Sequence, residues 1–478
     1  MSRTLLRGAH VITMAPDRPD WEDADVLVEG TQIVAVGTNV LPATSHGADA
    51  HEEVDVVDCT GRIIMPGLVN AHLHTWQTGL RFIGSDWTLS QYLQHTHGSI
   101  ARHFRPEDMY IGTLAGAVSQ IDGGITTIGD WCHNTPTADH ADAAVDGLLQ
   151  SGVRAVFLHG TSHAAPAHRQ LREIDQLLDG PVRTHDLLTL GMAIRGPQLS
   201  PAAAAIADFR AAHERGIVVS MHQSGGDLKP AWDAVHKAGL FRPGTNIAHG
   251  TGLTDEWVRT LVDAGVTFTT TPENELGQGH GAPITAQLLP LGDAPSLGTD
   301  TDCVVAGDLL TSARVALAYQ RGLDHDRRRR THGIFSMEPT VTSKQALSWA
   351  TLEGARALGL ADRVGRLQPG LQADLIVIDT RAPNLWPAHD PIAAALYSSF
   401  GNIEAVMIAG HWRKREHTML AIDLDRINEQ LERSSDHIVG QFRDPGPLGR
   451  MRGRVVSRVA RRRVLKELHN HVAPGEQP

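Results

Sequence analysis

Histidine and aspartate side chains recur in this sequence where short apolar runs end. His72 and His74 directly follow one such run, and side chains two positions apart on a strand point to the same face. His222, His249 and Asp300 end three further runs. Several imidazoles with one carboxylate suit Zn²⁺, with Fe²⁺ or Ni²⁺ as alternatives. Because a bound divalent ion lowers the pKa of water from about 15.7 to about 7, the pattern predicts metal-assisted hydrolysis.

The runs that carry these residues alternate with helical segments. From about residue 65 to about residue 358, short strands such as 153–160 and 217–223 alternate with Ala- and Leu-rich stretches such as 201–216. This alternation is typical of a parallel (β/α)8 barrel, in which functional groups lie at the C-terminal ends of the strands. We therefore expect the histidines and the aspartate to converge at one end of a barrel.

Both ends of the chain have the composition of strands. The first sixty residues are rich in Val and Ile, and the segments 365–380 and 403–415 have a similar composition. Neither block is long enough to form a core alone, so we expect them to pair. The predicted architecture is a (β/α)8 barrel over 61–360, a small β-domain composed of 1–60 and 361–420, and a helical C-terminal extension over 421–478.

Composition argues against several classes of protein. The 478 residues include 43 Lys or Arg and 54 Asp or Glu, a net charge of −11, which argues against nucleic acid as the main partner. No run approaches the ~18 apolar residues that a membrane span needs. Three scattered cysteines do not form a disulfide framework and fit a reducing compartment. We expect a cytoplasmic enzyme that acts on a small molecule without a membrane partner.

Two charged segments are interpreted structurally. The run 324–332 contains four consecutive arginines and is interpreted as a solvated loop, with a mobile lid as the alternative. The basic stretch 451–466 has apolar residues at helical spacing. We expect it to form a helix that docks on a neighbouring acidic subunit rather than a nucleic-acid-binding module.

Several segments together resemble a known family. The stretch GRIIMPGLVNAHLHTWQTGLR (61–81) is similar to the first-strand signature of the amidohydrolase superfamily. The similarity continues through the segments 123–131, 221–225, 248–257, 297–302 and 350–379. It is strongest for the branch that contains cytosine deaminase, S-adenosylhomocysteine and guanine-type deaminases, and triazine hydrolases.

The resemblance implies a distorted (β/α)8 TIM barrel with a β-sandwich built from both termini, and it implies a particular site. One divalent ion per chain, most simply Zn²⁺ with Fe²⁺ as the alternative, would be held by His72, His74, His222 and Asp300. His249 would contact the activated water and the substrate. Asp302 is a weaker alternative ligand. A homodimer or larger homo-oligomer is typical of the relatives. A binuclear site would need a lysine at the end of the fourth strand, and the segment 187–197 contains none.

The sequence departs from the branch at two positions. Deaminases of the branch carry a glutamate three residues after the fifth-strand histidine, and Gly225 stands there in this chain. After the seventh strand, the segment 271–277 replaces the usual Cys-Pro-x-Ser-Asn pattern. We therefore predict that Glu273 or His280 supplies the missing acid–base function. In that case Glu273→Gln would lower kcat by about 10²–10⁴-fold.

Candidate substrate contacts lie near the strand ends. Trp76 and Gln77 follow His74 by two and three positions. Trp87 and Trp131 are further aromatic candidates, and His163 and Arg195 are weaker candidates. Aromatic walls suit a planar or apolar substrate.

The expected reaction begins when Asp300 or His249 takes a proton from the attacking water. We predict hydrolysis of an amide, urea or amidine-type C–N bond in a small cyclic or aromatic compound. One alternative is hydrolytic deamination or dehalogenation of an N-heterocycle, which the loss of the glutamate at Gly225 weakens. A second is a catalytically impaired relative that binds a small molecule.

Overall fold

The computed structural model describes residues 2–40, 54–161 and 167–443. Its strands, in chain order, are β1 (Arg3–Val11), β2 (Trp21–Glu29), β3 (Gln32–Gly37), β4 (Val54–Asp58), β5 (Arg62–Pro66), β6 (Leu68–Leu73), β7 (Ile125–Cys132), β8 (Arg154–Gly160), β9 (Leu188–Ile194), β10 (Val218–Ser224), β11 (Thr245–Thr251), β12 (Thr267–Thr270), β13 (Ser296–Leu297), β14 (Leu375–Asp379), β15 (Ile403–Ile408), β16 (His411–Arg415) and β17 (Thr418–Met419). They form two sheets, one from the middle of the chain and one from its two ends.

Helices cover the strands and connect them. They are α1 (Leu89–Tyr92), α2 (Pro106–Asp122), α3 (Ala138–Ser151), α4 (Ala167–Asp179), α5 (Pro181–Thr184), α6 (Gly196–Leu199), α7 (Ala202–Glu214), α8 (Ala231–Lys237), α9 (Asp255–Asp263), α10 (Pro272–Gln278), α11 (Thr285–Leu288), α12 (Leu309–His332), α13 (Ser343–Trp349), α14 (Leu352–Ala357), α15 (Pro391–Leu396) and α16 (Leu424–Arg443). Tighter 3₁₀ turns cover Thr75–Leu80, Ala101–His103, Leu289–Leu291 and Phe400–Asn402, and a wider π-helical segment covers Leu93–Ile100. In the described ranges, no helix has the length and apolarity needed to cross a membrane.

The middle of the chain forms a closed barrel. Strands β6 to β13 pair in consecutive order, each parallel to the next. The sheet closes where Leu73 on β6 bridges to Asp300 after β13. Strands such as β7 and β8 are buried along their whole length, as expected for a parallel sheet covered on both faces. The predicted (β/α)8 barrel is confirmed.

The two ends of the chain share a mostly antiparallel sheet. Its order is β17-β16-β15-β14-β5-β1-β2-β3, with β4 also paired to β1. The ends meet where β14 pairs antiparallel with β5, so that Leu375 lies opposite Pro66. Apolar side chains from both ends, including Leu6, Val26 and Met407, form one buried cluster. The predicted β-domain built from both termini is therefore confirmed, whereas the exact domain limits stay a prediction.

A single glycine separates the two sheets. The chain leaves β5 at Pro66 and enters β6 at Leu68, with Gly67 between them. A Cβ atom on Gly67 would lie 2.1 Å from the Thr126 side chain. The close approach of the terminal sheet to the barrel therefore requires glycine at this position.

The arginine-rich run is helical rather than a loop. Helix α12 extends through it to His332, and Asp308 caps its start by accepting from the backbone N–H of Leu310 and Thr311. Within the run, Asp326 pairs with Arg330 one turn later. Arginine is a good helix former, and a capped helix already in progress extends at little cost, so the interpretation as a loop was wrong. The basic stretch 451–466 lies outside the described residues.

A buried ion pair joins the barrel to the terminal sheet. Arg154 at the start of β8 donates from Nε to Asp374 Oδ2 at 2.7 Å and from Nη2 to Asp374 Oδ1 at 2.9 Å. Both side chains are 1% exposed. Asp374 also accepts from the backbone N–H of Ala409 at 2.8 Å. Each partner would be left as an uncompensated buried charge without the other.

We expect Arg154→Met to lower the free energy of unfolding by about 3–5 kcal/mol, because it leaves Asp374 buried without its cation. Urea denaturation measures this change. The matched control is Arg381→Met, since Arg381 is 50% exposed where it pairs with Asp379. That substitution should cost only about 0–1 kcal/mol. Equal losses in the two variants would contradict a stabilising role for the buried pair.

Candidate metal centre and active site

Four predicted ligands lie together at the C-terminal end of the barrel. His72 lies on β6, His74 directly follows it, His222 lies on β10, and Asp300 follows β13. Each offers one ligand atom, and these atoms all lie within 4.8 Å of one another. Asp300 Oδ1 is 3.5 Å from His72 Nε2 and 3.2 Å from His74 Nε2. The Nε2 atoms of His72 and His222 are 3.2 Å apart.

The hydrogen bonds around this cluster suit a cation. His74 Nδ1 is 2.6 Å from the carbonyl oxygen of Trp131, which can only accept. The proton therefore sits on Nδ1, and the lone pair of His74 Nε2 faces the cluster. Burial lowers the pKa of His72 to about 3 and holds that of His222 well below its ordinary value, so both rings are neutral at pH 7. Neutral imidazoles and a carboxylate are a donor set that fits a divalent transition-metal ion.

Asp300 and His249 have a backbone conformation that few residues with a side chain adopt. Their φ angles are +60° and +67°. Such a conformation costs of order 1–3 kcal/mol and persists only where the surroundings enforce it. Here the backbone N–H of Asp300 donates to the carbonyl of His72 at 3.0 Å, which fixes the aspartate across the barrel seam. Asn274 Nδ2 donates to Asp300 Oδ2 at 2.8 Å, leaving Oδ1 directed at the histidines.

His249 lies beside the cluster and is oriented by a glutamate. Its ring centroid is 5.5 Å from those of His72 and His222. On its other side, His249 Nδ1 is 3.0 Å from Thr271 Oγ1 and 3.4 Å from Glu275 Oε1. The same Oε1 accepts from the backbone N–H of Thr271 at 2.7 Å, so it acts as an acceptor towards His249. His249 therefore carries its proton on Nδ1 and presents Nε2 as an acceptor.

Glu275 is a site residue that the sequence analysis missed. It is fully buried, and its Oε2 accepts from Thr270 Oγ1 at 2.5 Å. Burial raises the pKa of Glu275 to about 7, against the opposing effect of the hydrogen bonds from Thr270 and Thr271. The signal in the sequence was a pair of glutamates two positions apart after the seventh strand, of which only the first was selected.

Glu273 points to a different part of the protein. Its Oε2 accepts from Ser312 Oγ on α12 at 3.2 Å, and burial raises the pKa of this half-buried carboxyl. The geometry therefore brings Asn274 and Glu275 to the site from helix α10 but aims Glu273 away from it. The acid–base role expected for Glu273 stays a prediction that these contacts do not support.

His280 lies next to Gly225, the position at which deaminases of the branch carry a glutamate. Its ring centroid is 4.6 Å from that of His249, and its Nδ1 is 3.3 Å from Ser224 Oγ. Gly225 has φ +61°, and a Cβ there would lie 3.1 Å from the carbonyl oxygen of His280. The segment that carries His280 thus occupies the space into which a side chain at 225 would project. Burial lowers the pKa of His280 to about 4, so the ring is neutral.

Trp131 is the aromatic wall of the site. Its ring centroid lies 4.2 Å from that of His222 and 5.8 Å from that of His74, both edge-on. Its Nε1 donates to Ser220 Oγ at 3.0 Å, which holds the ring in place. Among the predicted substrate contacts, Trp131 is therefore brought directly against the cluster.

Trp76 and Gln77 lie in the turn that follows His74, and both are fully buried. Trp76 Nε1 donates to His133 Nδ1 at 3.2 Å. Gln77 Nε2 donates to Tyr92 Oη at 2.7 Å. The two residues thus hold neighbouring side chains of the first loop over the barrel end.

The remaining candidates lie away from the four ligands. Trp87 packs against His95 with ring centroids 4.8 Å apart. Asp302 accepts from Thr78 and pairs with Arg81, and it is not part of the four-residue ligand group. Arg195 reaches the carbonyl of Leu199 on the surface. His163 lies outside the described residues.

A second group of possible ligands lies on the terminal sheet: Asp379, Glu404 and His417. Its two carboxylates are already paired, Glu404 with Arg62 at 2.5 Å and Asp379 with Arg381 at 2.8 Å. The group is therefore explained by ion pairs, and the barrel cluster is the candidate metal centre.

Comparisons with known proteins agree with this geometry. A 5-methylthioadenosine/S-adenosylhomocysteine deaminase of Desulforamulus reducens is 26% identical, covering 92% of this chain and all of that protein. A 5'-deoxyadenosine deaminase of Methanosarcina mazei is 24% identical, covering 92% of this chain and 99% of that protein.

Solved structures share the fold. An adenosine deaminase from Xanthomonas campestris with bound zinc superposes with a TM-score of 0.80 at 23% identity, over 92% of this chain and 99% of that chain. An atrazine chlorohydrolase from Arthrobacter aurescens, complexed with zinc, gives a TM-score of 0.79 at 21% identity, over 90% of this chain and all of that chain.

The sequence model described as "Amidohydrolase family" matches residues 63–413, which is most of the chain. This match spans the barrel and the ligand cluster at its C-terminal end. The protein therefore belongs to the amidohydrolase family and is a hydrolase that acts on carbon–nitrogen bonds.

Proposed function

We propose that the protein is a mononuclear, zinc-dependent hydrolase that releases ammonia or an amine from an amidine-type carbon in a nitrogen heterocycle. The observation that carries the proposal is the His72, His74, His222 and Asp300 cluster, with His249 and His280 beside it. Similarity to deaminases of adenine nucleosides supports the substrate class. Zinc is supported by the donor set and by the zinc bound in two structural neighbours.

In this proposal His72, His74, His222 and Asp300 hold the ion, which supplies a nucleophilic hydroxide at neutral pH. Asp300 accepts the proton that the attacking water loses, because Asn274 holds one of its oxygens and the other faces the cluster.

His249 and His280 control the protons of the attacking water and of the departing nitrogen. His249 presents an unprotonated Nε2 because Thr271 and Glu275 engage its Nδ1, so it accepts a hydrogen bond from the attacking water and orients it. His280 is neutral and relays a proton: it gives a ring N–H to the departing nitrogen as its other nitrogen takes up the proton that the attacking water lost, a role that the position of its ring beside His249 and Ser224 supports.

A second candidate is hydrolysis of a cyclic amide or urea, and Gly225 is the observation that favours it. Deamination requires protonation of a ring nitrogen, and no carboxyl projects from position 225. An assay of the zinc-loaded protein on 5'-methylthioadenosine, 5'-deoxyadenosine, an amino-substituted triazine and a cyclic urea separates the two. Ammonia release from the first three supports deamination, whereas turnover of the urea alone supports the second candidate.

Removal of the metal should abolish turnover. We expect the purified protein to hold about one zinc ion per chain and a chelator to reduce activity to background, with added zinc restoring it. Metal analysis and the ammonia assay measure both quantities. His74→Asn should lose zinc and activity together. The exposed surface histidine His411 offers a control, since His411→Asn should retain both. Full turnover by metal-free protein would contradict the proposal.

Glu275→Gln should lower kcat by about 10–100-fold with zinc content unchanged, because the amide orients His249 less well than the carboxyl. Glu273→Gln is the matched control, since that carboxyl contacts Ser312 on α12 and should tolerate the change. Steady-state kinetics and metal analysis check both variants. A large loss in Glu273→Gln with normal Glu275→Gln would instead support the acid–base role predicted for Glu273.

His280→Asn should lower kcat for ammonia release by about 10²–10⁴-fold, as expected for loss of a general acid. Chloride needs no proton in order to leave. A chloro-substituted analogue of the same heterocycle should therefore be hydrolysed by His280→Asn nearly as fast as by the wild type. Comparison of kcat for the amino and chloro compounds measures the effect. An equal loss on both compounds would show that His280 has a structural role.

A further inference from the structure

A second pair of histidines lies beside the metal centre and takes no part in the mechanism above. His133 directly follows β7, and its ring centroid is 4.4 Å from that of His74. His97 lies in the π-helical segment Leu93–Ile100, a kind of segment that is frequent at functional sites. The Nε2 atoms of His133 and His97 are 3.1 Å apart.

This separation resembles that of His72 and His222, whose Nε2 atoms are 3.2 Å apart in the ligand cluster. The hydrogen bonds on the far side of the rings distinguish the two cases. His133 Nδ1 is 3.2 Å from Trp76 Nε1, and an indole nitrogen can only donate. His133 Nδ1 must therefore accept, which places the proton of the neutral ring on Nε2.

His74 and His133 thus have opposite tautomers although their rings are neighbours. The carbonyl of Trp131 places the proton of His74 on Nδ1 and leaves Nε2 free to bind a cation. The indole of Trp76 does the reverse for His133. The Nε2 atom of His133 is a hydrogen-bond donor, and the ring does not act as a metal ligand. Burial holds the pKa of His133 well below its ordinary value, which keeps the ring in this neutral form.

The hydrogen bond that His133 Nε2 donates within the protein can be exchanged for one to another acceptor. His133 Nε2 donates to His97 Nε2, and Tyr92 Oη lies 3.3 Å from the same His97 atom. Tyr92 Oη is also held by Gln77 at 2.7 Å. Tyr92 Oη also donates to Gln77 Oε1 at 3.0 Å, so its single proton can turn from Gln77 to His97 Nε2 if His133 turns its N–H to another acceptor.

We infer that His133 recognises the substrate: its Nε2–H donates to an uncharged acceptor, a ring nitrogen or carbonyl oxygen, of the heterocycle bound at the metal centre. Trp76 is the positioning residue that fixes this proton. The inference rests on the proposed function. The polar groups that contact one another here, from Trp76, Gln77, Tyr92, His97 and His133, are all uncharged. An uncharged acceptor matches them, because none of these groups supplies a charge with which an anion could pair.

The test uses zinc-loaded protein and equilibrium binding of a parent nucleoside that cannot release ammonia, 5'-methylthioadenosine with methyl in place of its 6-amino group. Its three deaza analogues, in which CH replaces ring nitrogen 1, 3 or 7, are compared with it. The wild type should bind one analogue about 10-fold more weakly than the parent nucleoside, because a buried N–H then lacks its acceptor. In His133→Phe, the parent and that analogue should bind with equal affinity. Zinc content should be unchanged in the variant.

A purely structural role predicts a different pattern, in which His133→Phe weakens the parent and all three analogues by the same factor. That result, or no change at all, would overturn the inference. If the wild type binds none of these compounds, the proposed substrate class fails and the inference fails with it. If the wild type releases ammonia from 5'-methylthioadenosine but His133→Phe binds every compound as the wild type does, the inference fails and the proposed function stands.

The tautomer gives a readout that needs no substrate. In ¹⁵N spectra of histidine-labelled, zinc-loaded protein, the signal lost in His133→Phe should come from a ring protonated on Nε2. Trp76→Phe keeps the aromatic packing but removes the N–H, so the His133 signal should shift towards a mixture of tautomers. A His133 ring protonated on Nδ1 in the wild type would overturn the inference.

Discussion

The closure of the barrel between its first and last strands is the constraint on which the site depends. The carbonyl of His72 accepts from the backbone N–H of Thr299 at 3.1 Å and of Asp300 at 3.0 Å, and the N–H of His74 donates to the carbonyl of Asp300 at 2.8 Å. These bonds hold the candidate ligands from the first and last strands of the barrel in one register. The same bonds maintain the unusual φ of Asp300, so this backbone strain persists because the sheet closes at this residue.

Within this frame, the atoms behind each imidazole decide what the ring can do. Burial lowers the pKa of His72 and of His133, and a neutral ring has one donor nitrogen and one acceptor nitrogen. A carbonyl behind His74 directs the lone pair of its Nε2 towards the candidate ligands, whereas an indole N–H behind His133 places a proton on its Nε2, which donates to His97. His74 and His133 therefore differ in chemistry because different groups contact their Nδ1 atoms. Trp131 and Trp76, expected from the sequence to line the pocket, contribute much of this control through a backbone carbonyl and an indole nitrogen.

The sequence predicted the barrel and its ligand cluster because both depend on local signals. Buried parallel strands appear in a sequence as apolar runs. Their C-terminal ends lie at the same end of the barrel regardless of the loop sequences. The direction of side chains on short helices after the strands is set by packing instead. Residues two apart on a helix point about 200° apart, so Glu273 and Glu275 face opposite sides of α10, and nothing in their spacing says which one faces the site. The helical path of the arginine run, likewise, depends on a cap at Asp308 that lies well before it.

The exchange of a glutamate for an imidazole changes the electrostatics of the cavity. A divalent ion with three neutral imidazoles and Asp300 leaves a net charge of +1, and a nearby carboxylate of the branch type would cancel it. With Gly225 and a neutral His280 in its place, the charge is balanced only in so far as Glu275 ionises. Burial raises the pKa of Glu275 to about 7, so ionisation costs least when a positive charge is bound beside it. Binding of a divalent ion and ionisation of Glu275 therefore favour each other, and the carboxylate that forms is the one that orients His249.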